Sequence, residues 1–393
     1  MSIGDSCLGD RRFLRGNYDP GMPPRSANLA QRLQGKRVVV CVGAGGVGKT
    51  TTSAALALAL AARGAKVAVV TIDPANRLAT ALGLDELAGE PHRIDPALLA
   101  AQGVAEPGEL WAMALDVKRT FDEIVTRLAP DARSREEILA NPVYRELSSA
   151  VSGVQELGAV TKLYELSREH DFDVIVLDTP PSRNALDFLE APGNLLRFLE
   201  GRALKVFLAP GGLTARLFGR GTGLVFAIFA RITGVDMLGD LSTFFRSLTG
   251  VIDGFGERIR GVAELLRDQD TSFLIVTSPE PEPAREAVFL ARELAAAGMT
   301  RDGAIVNRVH PHGLDGRSVE EVDALLAPEL GDPLARRVAG NLADFDVLFR
   351  RDRDTIARLR RELAEPDPVL VPHLDQDVQD LAGLARIAGY LFA

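Results

Sequence analysis

Residues 43–50 read Gly-Ala-Gly-Gly-Val-Gly-Lys-Thr, a full match to the phosphate-binding pattern G-x-x-x-x-G-K-[ST]. Each residue type has a task there. Gly43, Gly45, Gly46 and Gly48 let backbone N–H groups, Val47 included, close around the β- and γ-phosphates of a nucleoside triphosphate. Lys49 neutralises phosphate charge and the Thr50 hydroxyl can ligate Mg²⁺. Thr51 opens an Ala/Leu-rich helical run to Ala62, whose N-terminus adds partial positive charge. Before the loop, Arg37 to Val42 has the pattern of a buried strand, so strand, glycine loop and helix follow in the order that triphosphate binding requires.

Two carboxylates end apolar runs elsewhere. Val174-Ile175-Val176-Leu177-Asp178 places Asp178 at a strand end, the arrangement that holds Mg²⁺ or its water shell. Thr71-Ile72-Asp73-Pro74 places Asp73 where it orients an attacking water or reaches the metal shell; the alternative is a helix N-cap. The residues thus imply a nucleoside triphosphate and Mg²⁺ as ligands, with Lys49 and Asp73 catalytic and Thr50, Asp73 and Asp178 around the metal.

The elements that must position these groups follow from the apolar pattern. Further strands are expected over 66–73, 110–116, 173–179, 272–278, 303–309 and 368–374. Most are apolar on both faces and alternate with helical segments, which predicts an α/β fold: a mostly parallel, doubly wound sheet with an inserted α-helical subdomain. Residues 1–30 lack periodicity and read as a flexible tail, and 31–393 as one domain with helical insertions at about 117–170 and 184–268. The net charge of −9 gives no basic footprint, so direct nucleic-acid binding is not expected. Only Cys7 and Cys41 are present, which excludes a disulfide framework and a Cys-x-x-Cys metal site and fits a reducing cytoplasm. No stretch approaches the roughly 18 uninterrupted apolar residues of a membrane span. His310-Pro311-His312 has no carboxylate or thiolate beside it in sequence and reads as a surface loop.

Taken in order, the glycine loop, Asp73-Pro74-Ala75 and Asp178-Thr179-Pro180-Pro181-Ser182 resemble the deviant P-loop NTPases. Within them, the chain is similar to the arsenite-pump/guided-entry ATPase family, which includes the tail-anchored-protein targeting factor. The resemblance covers nearly the whole chain after residue 34. It implies that Asp73 activates water in a first switch and that 178–182 form a second switch sensing the γ-phosphate. It also implies that the Asn307 amide reads adenine and that Pro372 lies in the loop closing over the base. One position departs: where family members carry a second lysine that reaches the partner subunit's phosphates, this chain has Ala44. The resemblance then implies either a homodimer in which Arg77 or Arg183 substitutes, or a heterodimer with a lysine-bearing paralogue, which is the preferred reading.

The insertions are expected to hold the specific function. From Leu238 the apolar positions Leu241, Phe244, Phe245, Leu248, Val251, Ile252, Phe255, Ile259, Val262 and Leu266 share one helical face, and Phe226 and Phe229 lie in an all-apolar run upstream. Either this is an ordinary helical core, or Phe226, Phe229, Leu241, Phe244, Phe245, Leu248, Ile252 and Phe255 line a groove for a hydrophobic helical client. Gly250, Gly254 and Gly256 weaken helix propensity and predict a bend or mobility there. The resemblance makes a tail-anchored membrane protein the natural client, and two cysteines fit arsenite poorly. An ATP-gated positioning switch of the Min/Par type, without a hydrophobic client, is the alternative. The last helix, read over 378–392, lacks the basic face of such a switch's membrane-targeting tail.

Overall fold

The computed structural model describes residues 29–72, 77–87, 89–101, 108–142, 144–145, 154–179, 249–314, 316–365 and 367–392. The chain divides into two compact units, one of residues 1–114, 171–185 and 268–393, the other of 115–170 and 186–267.

The first unit is built on an eight-stranded sheet. In chain order its strands are β1 (Val38–Val42), β2 (Lys66–Thr71), β3 (His92–Arg93), β4 (Glu109–Ala114), β5 (Val174–Asp178), β6 (Thr271–Thr277), β7 (Arg301–Val309) and β8 (Val369–Pro372). Their spatial order is β3-β4-β2-β5-β1-β6-β7-β8, parallel throughout except for the antiparallel β3–β4 pair. Side chains alternate across a strand, yet Val38 to Val42 are all at most 2% exposed, so both faces of β1 are covered. This is the expected α/β sheet.

The helices of this unit are α1 (Leu29–Arg32), α2 (Lys49–Ala61), α3 (Arg77–Ala81) and α4 (Pro96–Ala101), followed after the second unit by α9 (Pro281–Ala296), α10 (Val319–Leu330), α11 (Asp332–Glu362) and α12 (Leu381–Leu391). The small residues of α2 let it sink into the core: Thr52 to Ala59 are all fully buried, packed with α12 and the strands beneath. Propensity favours the helix, since Ala and Leu are its best formers, and Gly64 at φ 90 ends the turn that follows. Glu365 accepts from Arg32 at 2.6 Å and Arg301 at 3.0 Å, tying α1 and β7 to the segment before β8. Among the described residues, no helix is long and apolar enough to cross a membrane.

Element ends differ from the sequence reading by one to three residues. The loop helix begins at Lys49 rather than Thr51, and the last helix at Leu381 rather than Val378, because Asp380 caps it by accepting from the Gly383 N–H at 2.7 Å. The short β3 was not foreseen, since two exposed residues carry no apolar pattern.

In the second unit the described helices are α5 (Val117–Leu128), α6 (Ala132–Ala140), α7 (Val154–Glu169) and α8 (Thr249–Leu265). Asp116 and Asp131 cap α5 and α6 by accepting from the N–H of Arg119 and Ser134. Lys162, buried on α7, reaches Glu165 at 2.9 Å and Glu123 of α5 at 3.3 Å, and Arg127 joins Glu165 to Glu169. Helix α8 runs on as helix through Gly250, Gly254 and Gly256. A Cβ on Gly254 would lie 2.8 Å from Leu128 Cδ2, and one on Gly261 would lie 2.5 Å from Tyr164 Cζ. These glycines serve close packing against neighbouring helices. Four members of the apolar stripe, Val251, Ile259, Val262 and Leu266, are at most 2% exposed. Of the groove residues read from sequence, Phe226, Phe229, Leu241, Phe244, Phe245 and Leu248 lie outside the described residues, as do the side chains of Ile252 and Phe255.

Candidate functional site

Strand pairing lines up three chain positions at the carboxyl ends of adjacent strands: Cys41 of β1 faces Asp178 of β5, and Asp178 faces Thr71 of β2. The strand order reverses beside β1, with β2 and β4 on one side and β6, β7 and β8 on the other. Ligands of open α/β sheets bind in the crevice at such a point.

The glycine loop leaves β1 here. Gly43 runs so close to β6 that a Cβ would stand 1.9 Å from the Val276 carbonyl oxygen, so no other residue fits. Gly48, at φ 92 and ψ 30, precedes α2 in the left-handed conformation, and a Cβ on it would meet Asn307 Nδ2 at 2.4 Å. Lys49 is 6% exposed and its ammonium donates to the carbonyls of Gly43 at 2.9 Å and Ala44 at 2.8 Å, arching over the loop. Ala44 itself is 5% exposed and packs in the main core.

Asp178 is buried at the end of β5, where Thr71 Oγ1 donates to its Oδ2 at 2.8 Å. Thr179 turns its hydroxyl back onto the Cys41 carbonyl at 2.7 Å. Burial pushes the Cys41 thiol up to about 12; the neighbouring Asp178 charge adds to this, while a hydrogen bond with Ser53 and the Lys49 charge oppose it. Oxygen donors from Thr50 and Asp178 suit Mg²⁺, a hard cation, better than a soft metal. Among the described residues there is no cluster of three or more His, Cys, Asp or Glu that could hold a metal by itself. Asp73, Pro74, Pro180, Pro181, Ser182 and Arg183 lie outside the described residues.

On the far side of the loop, Asn307 of β7 is buried. Its Nδ2 donates to the Val47 carbonyl at 2.9 Å and its Oδ1 accepts the Arg308 N–H at 2.9 Å. One carbonyl acceptor and one N–H donor as neighbours fix which way the amide points. Arg308 has φ 60, in the left-handed region, where β7 and β8 slip register between Val306 and Val309. Bulges of this kind re-aim side chains beside functional sites.

A cavity of about 720 Å³ joins these parts. It is lined by Gly46, Gly48, Lys49, Thr50, Thr51, Arg77, Thr179, Asn307 and Pro372 among the residues named from sequence, and also by Arg308 and His373. Gly43, Gly45, Val47 and Asp178 are not among the lining residues. Sequence reading missed Thr71, Arg308 and His373, although each is within two residues of one it named. It also took 310–312 as a loop lacking carboxylate support. The structure corrects this: His310 Nδ1 lies 2.7 Å from Asp352 and His312 Nδ1 lies 3.4 Å from Asp346, both on α11. Those carboxylates are distant in sequence and reach the loop only through the helix.

The sequence pattern of the anion-transporting ATPase family matches residues 36–322. The chain is 29% identical over 283 residues to an Aquifex aeolicus protein named as an arsenical pump-driving ATPase, covering 70% of this chain and 64% of that protein. It is 26% identical over 292 residues to the ATPase GET3 of Malassezia globosa, covering 74% and 78%. A similar likeness links it to GET3A of Arabidopsis thaliana, 26% over 269 residues, covering 68% and 65%. The chain thus spans just under two thirds of the Aquifex and Arabidopsis relatives.

Proposed function

Because the chain belongs to the anion-transporting ATPase family, we propose that it is a Mg²⁺-dependent ATPase that works as a dimeric switch, coupling nucleotide-driven closure to capture of a hydrophobic helical client. The observation that carries the nucleotide part is the cavity in which the glycine loop, Lys49 and Asn307 converge.

Lys49 trades its two loop carbonyls for the β- and γ-phosphates, and the loop N–H groups complete the cradle. Thr50 and Asp178 would hold Mg²⁺, which would neutralise phosphate charge. Asp73 orients the attacking water. The Asn307 inventory supports adenine: of two N–H donors and two lone pairs, Val47 and Arg308 use one each, leaving one donor and one acceptor on a side chain that lines the cavity. Adenine offers the complementary pair, an amino donor beside a ring-nitrogen acceptor, whereas guanine presents two acceptors on the corresponding edge.

A tail-anchored membrane protein is the client class we favour, as the resemblance to the guided-entry ATPases implies. Arsenite is a poor alternative, since As(III) needs thiolates and burial keeps Cys41 protonated. A lysine-bearing paralogue facing Ala44 would supply the contact this chain lacks.

Steady-state hydrolysis by the parent, Lys49→Ala and Asp73→Asn tests the reading. Lys49→Ala should lose turnover and bind ATP weakly, and Asp73→Asn should bind ATP but turn over slowly. Full turnover in Lys49→Ala removes the assignment. Co-purification of an apolar helical peptide in the absence of detergent tests the client.

A further inference from the structure

His310 and His373 form a stacked pair between the nucleotide cavity and helix α11. Their ring centroids are 5.6 Å apart and their planes 13° from parallel. Both are held from behind. The His310 backbone N–H donates to Asp352 Oδ2 at 3.0 Å, and its ring Nδ1 lies 2.7 Å from the same oxygen. Asp352 is fully buried, and Arg351 donates to its other oxygen from Nε at 3.3 Å and Nη2 at 3.0 Å. A carboxylate on Nδ1 fixes the orientation of an imidazole. The His373 N–H donates to the Val309 carbonyl at 2.8 Å, so the backbone that carries its ring is tied to β7.

His373 is also an exposed residue that lines the cavity, beside Asn307, Arg308 and Pro372. An aromatic ring that is oriented by its neighbours and set next to a hydrogen-bonding amide has the makings of a base platform, because every base offers a π face. Helix α11 begins at Asp332, beyond residue 322 where the family pattern ends, so the buttress comes from a part of the chain outside that match.

We propose that His373 stacks on the nucleobase and that Asp352 is a positioning residue acting on it through His310. This rests on the cavity being an adenine-nucleotide site. The ring contributes to base recognition and leaves the phosphates to the glycine loop.

Calorimetric titration of the full-length protein with ADP and, separately, with inorganic tripolyphosphate tests the assignment. His373→Ala should weaken ADP binding by about tenfold or more while leaving tripolyphosphate unchanged, and His373→Phe should restore ADP affinity. Asp352→Asn should weaken ADP by about threefold to tenfold in the parent and have no further effect in the His373→Ala background, as expected of a residue that works through that ring. Should Asp352→Asn unfold, His310→Gln takes its place in the same cycle. Unchanged ADP affinity in His373→Ala, or equal loss of both ligands, overturns the base contact. An additive effect of Asp352→Asn on His373→Ala overturns the relay. A parent that binds tripolyphosphate but not ADP refutes the base contact while sparing the phosphate cradle, and a parent that binds neither refutes the nucleotide site itself.

Discussion

The amide of Asn307 and the carbonyl of Val47 are hydrogen-bonded at 2.9 Å across 260 residues of chain, joining strand β7 directly to the glycine loop. The residue proposed to read the base is therefore also a brace for the loop proposed to hold the phosphates. The proposed base and phosphate contacts thus meet at this one side chain.

Gly48→Ala tests that link. The new methyl would fall 2.4 Å from Asn307 Nδ2 in a backbone conformation that already disfavours a side chain. We expect Asn307 to be displaced, raising KM for ATP by about tenfold and collapsing the preference for ATP over GTP. Kinetics with both nucleotides provide the measurement; an intact ATP preference would show that the brace is dispensable.

Ala44→Lys has a second consequence beyond the missing partner contact. The Ala44 side chain is enclosed in the core, so a lysine must either bury its charge or push the loop outward. Urea unfolding without nucleotide should show a loss of about 2 kcal/mol. If a partner subunit's phosphates receive the ammonium, Mg²⁺ and ATP should recover part of that loss; unchanged stability without nucleotide would mean the loop opens freely at this position.

Cys41 should resist thiol reagents. In a Cys7→Ser background, the native protein should remain unlabelled at pH 8 to 9 and take up one equivalent after unfolding, because the thiolate is the reactive form and burial holds the pKa up to about 12. The sign of the linkage follows. A folded pKa above the unfolded one contributes stability that is complete below about pH 9 and is lost as pH rises towards 12. Rapid labelling of native protein would contradict the burial of β1.

Two glycines of α8 should respond oppositely to alanine. At Gly256 the nearest atom to a new Cβ is Arg260 Nη2 at 3.6 Å, an ordinary contact, so Gly256→Ala should stabilise by about 0.5 to 1 kcal/mol through helix propensity. At Gly261 the Tyr164 ring blocks the position, and Gly261→Ala should destabilise by about 1 to 3 kcal/mol. Shrinking Tyr164 to Ala in that background should relieve the overlap, and denaturant titration of the four proteins decides.

Local signals were the legible ones. The glycine loop could be read because its residues are contiguous, and the strands because burial on both faces leaves unbroken apolar runs such as Val38 to Val42. What escaped notice depends on contacts remote in sequence. The partnership of His310 with Asp352 spans 42 positions and needs the 31-residue helix α11 to form it. Gly254 of α8 was read for propensity alone, while a side chain there would collide with Leu128 on another helix. Arg308 carried no signal in its residue type, since only the slip in register and its left-handed backbone distinguish it.

The hydrogen bond from Thr71 to Asp178 carries a temporal implication. The chain leaves the sheet after these two residues toward 73–76 and 180–182, and the bond gives both departures a common root. One hydrogen bond tying both strand ends should couple them, so a fluorescent reporter placed beyond either strand should record a single relaxation with one rate constant after ATP is mixed in. Removing the hydroxyl with Thr71→Val should split it into two.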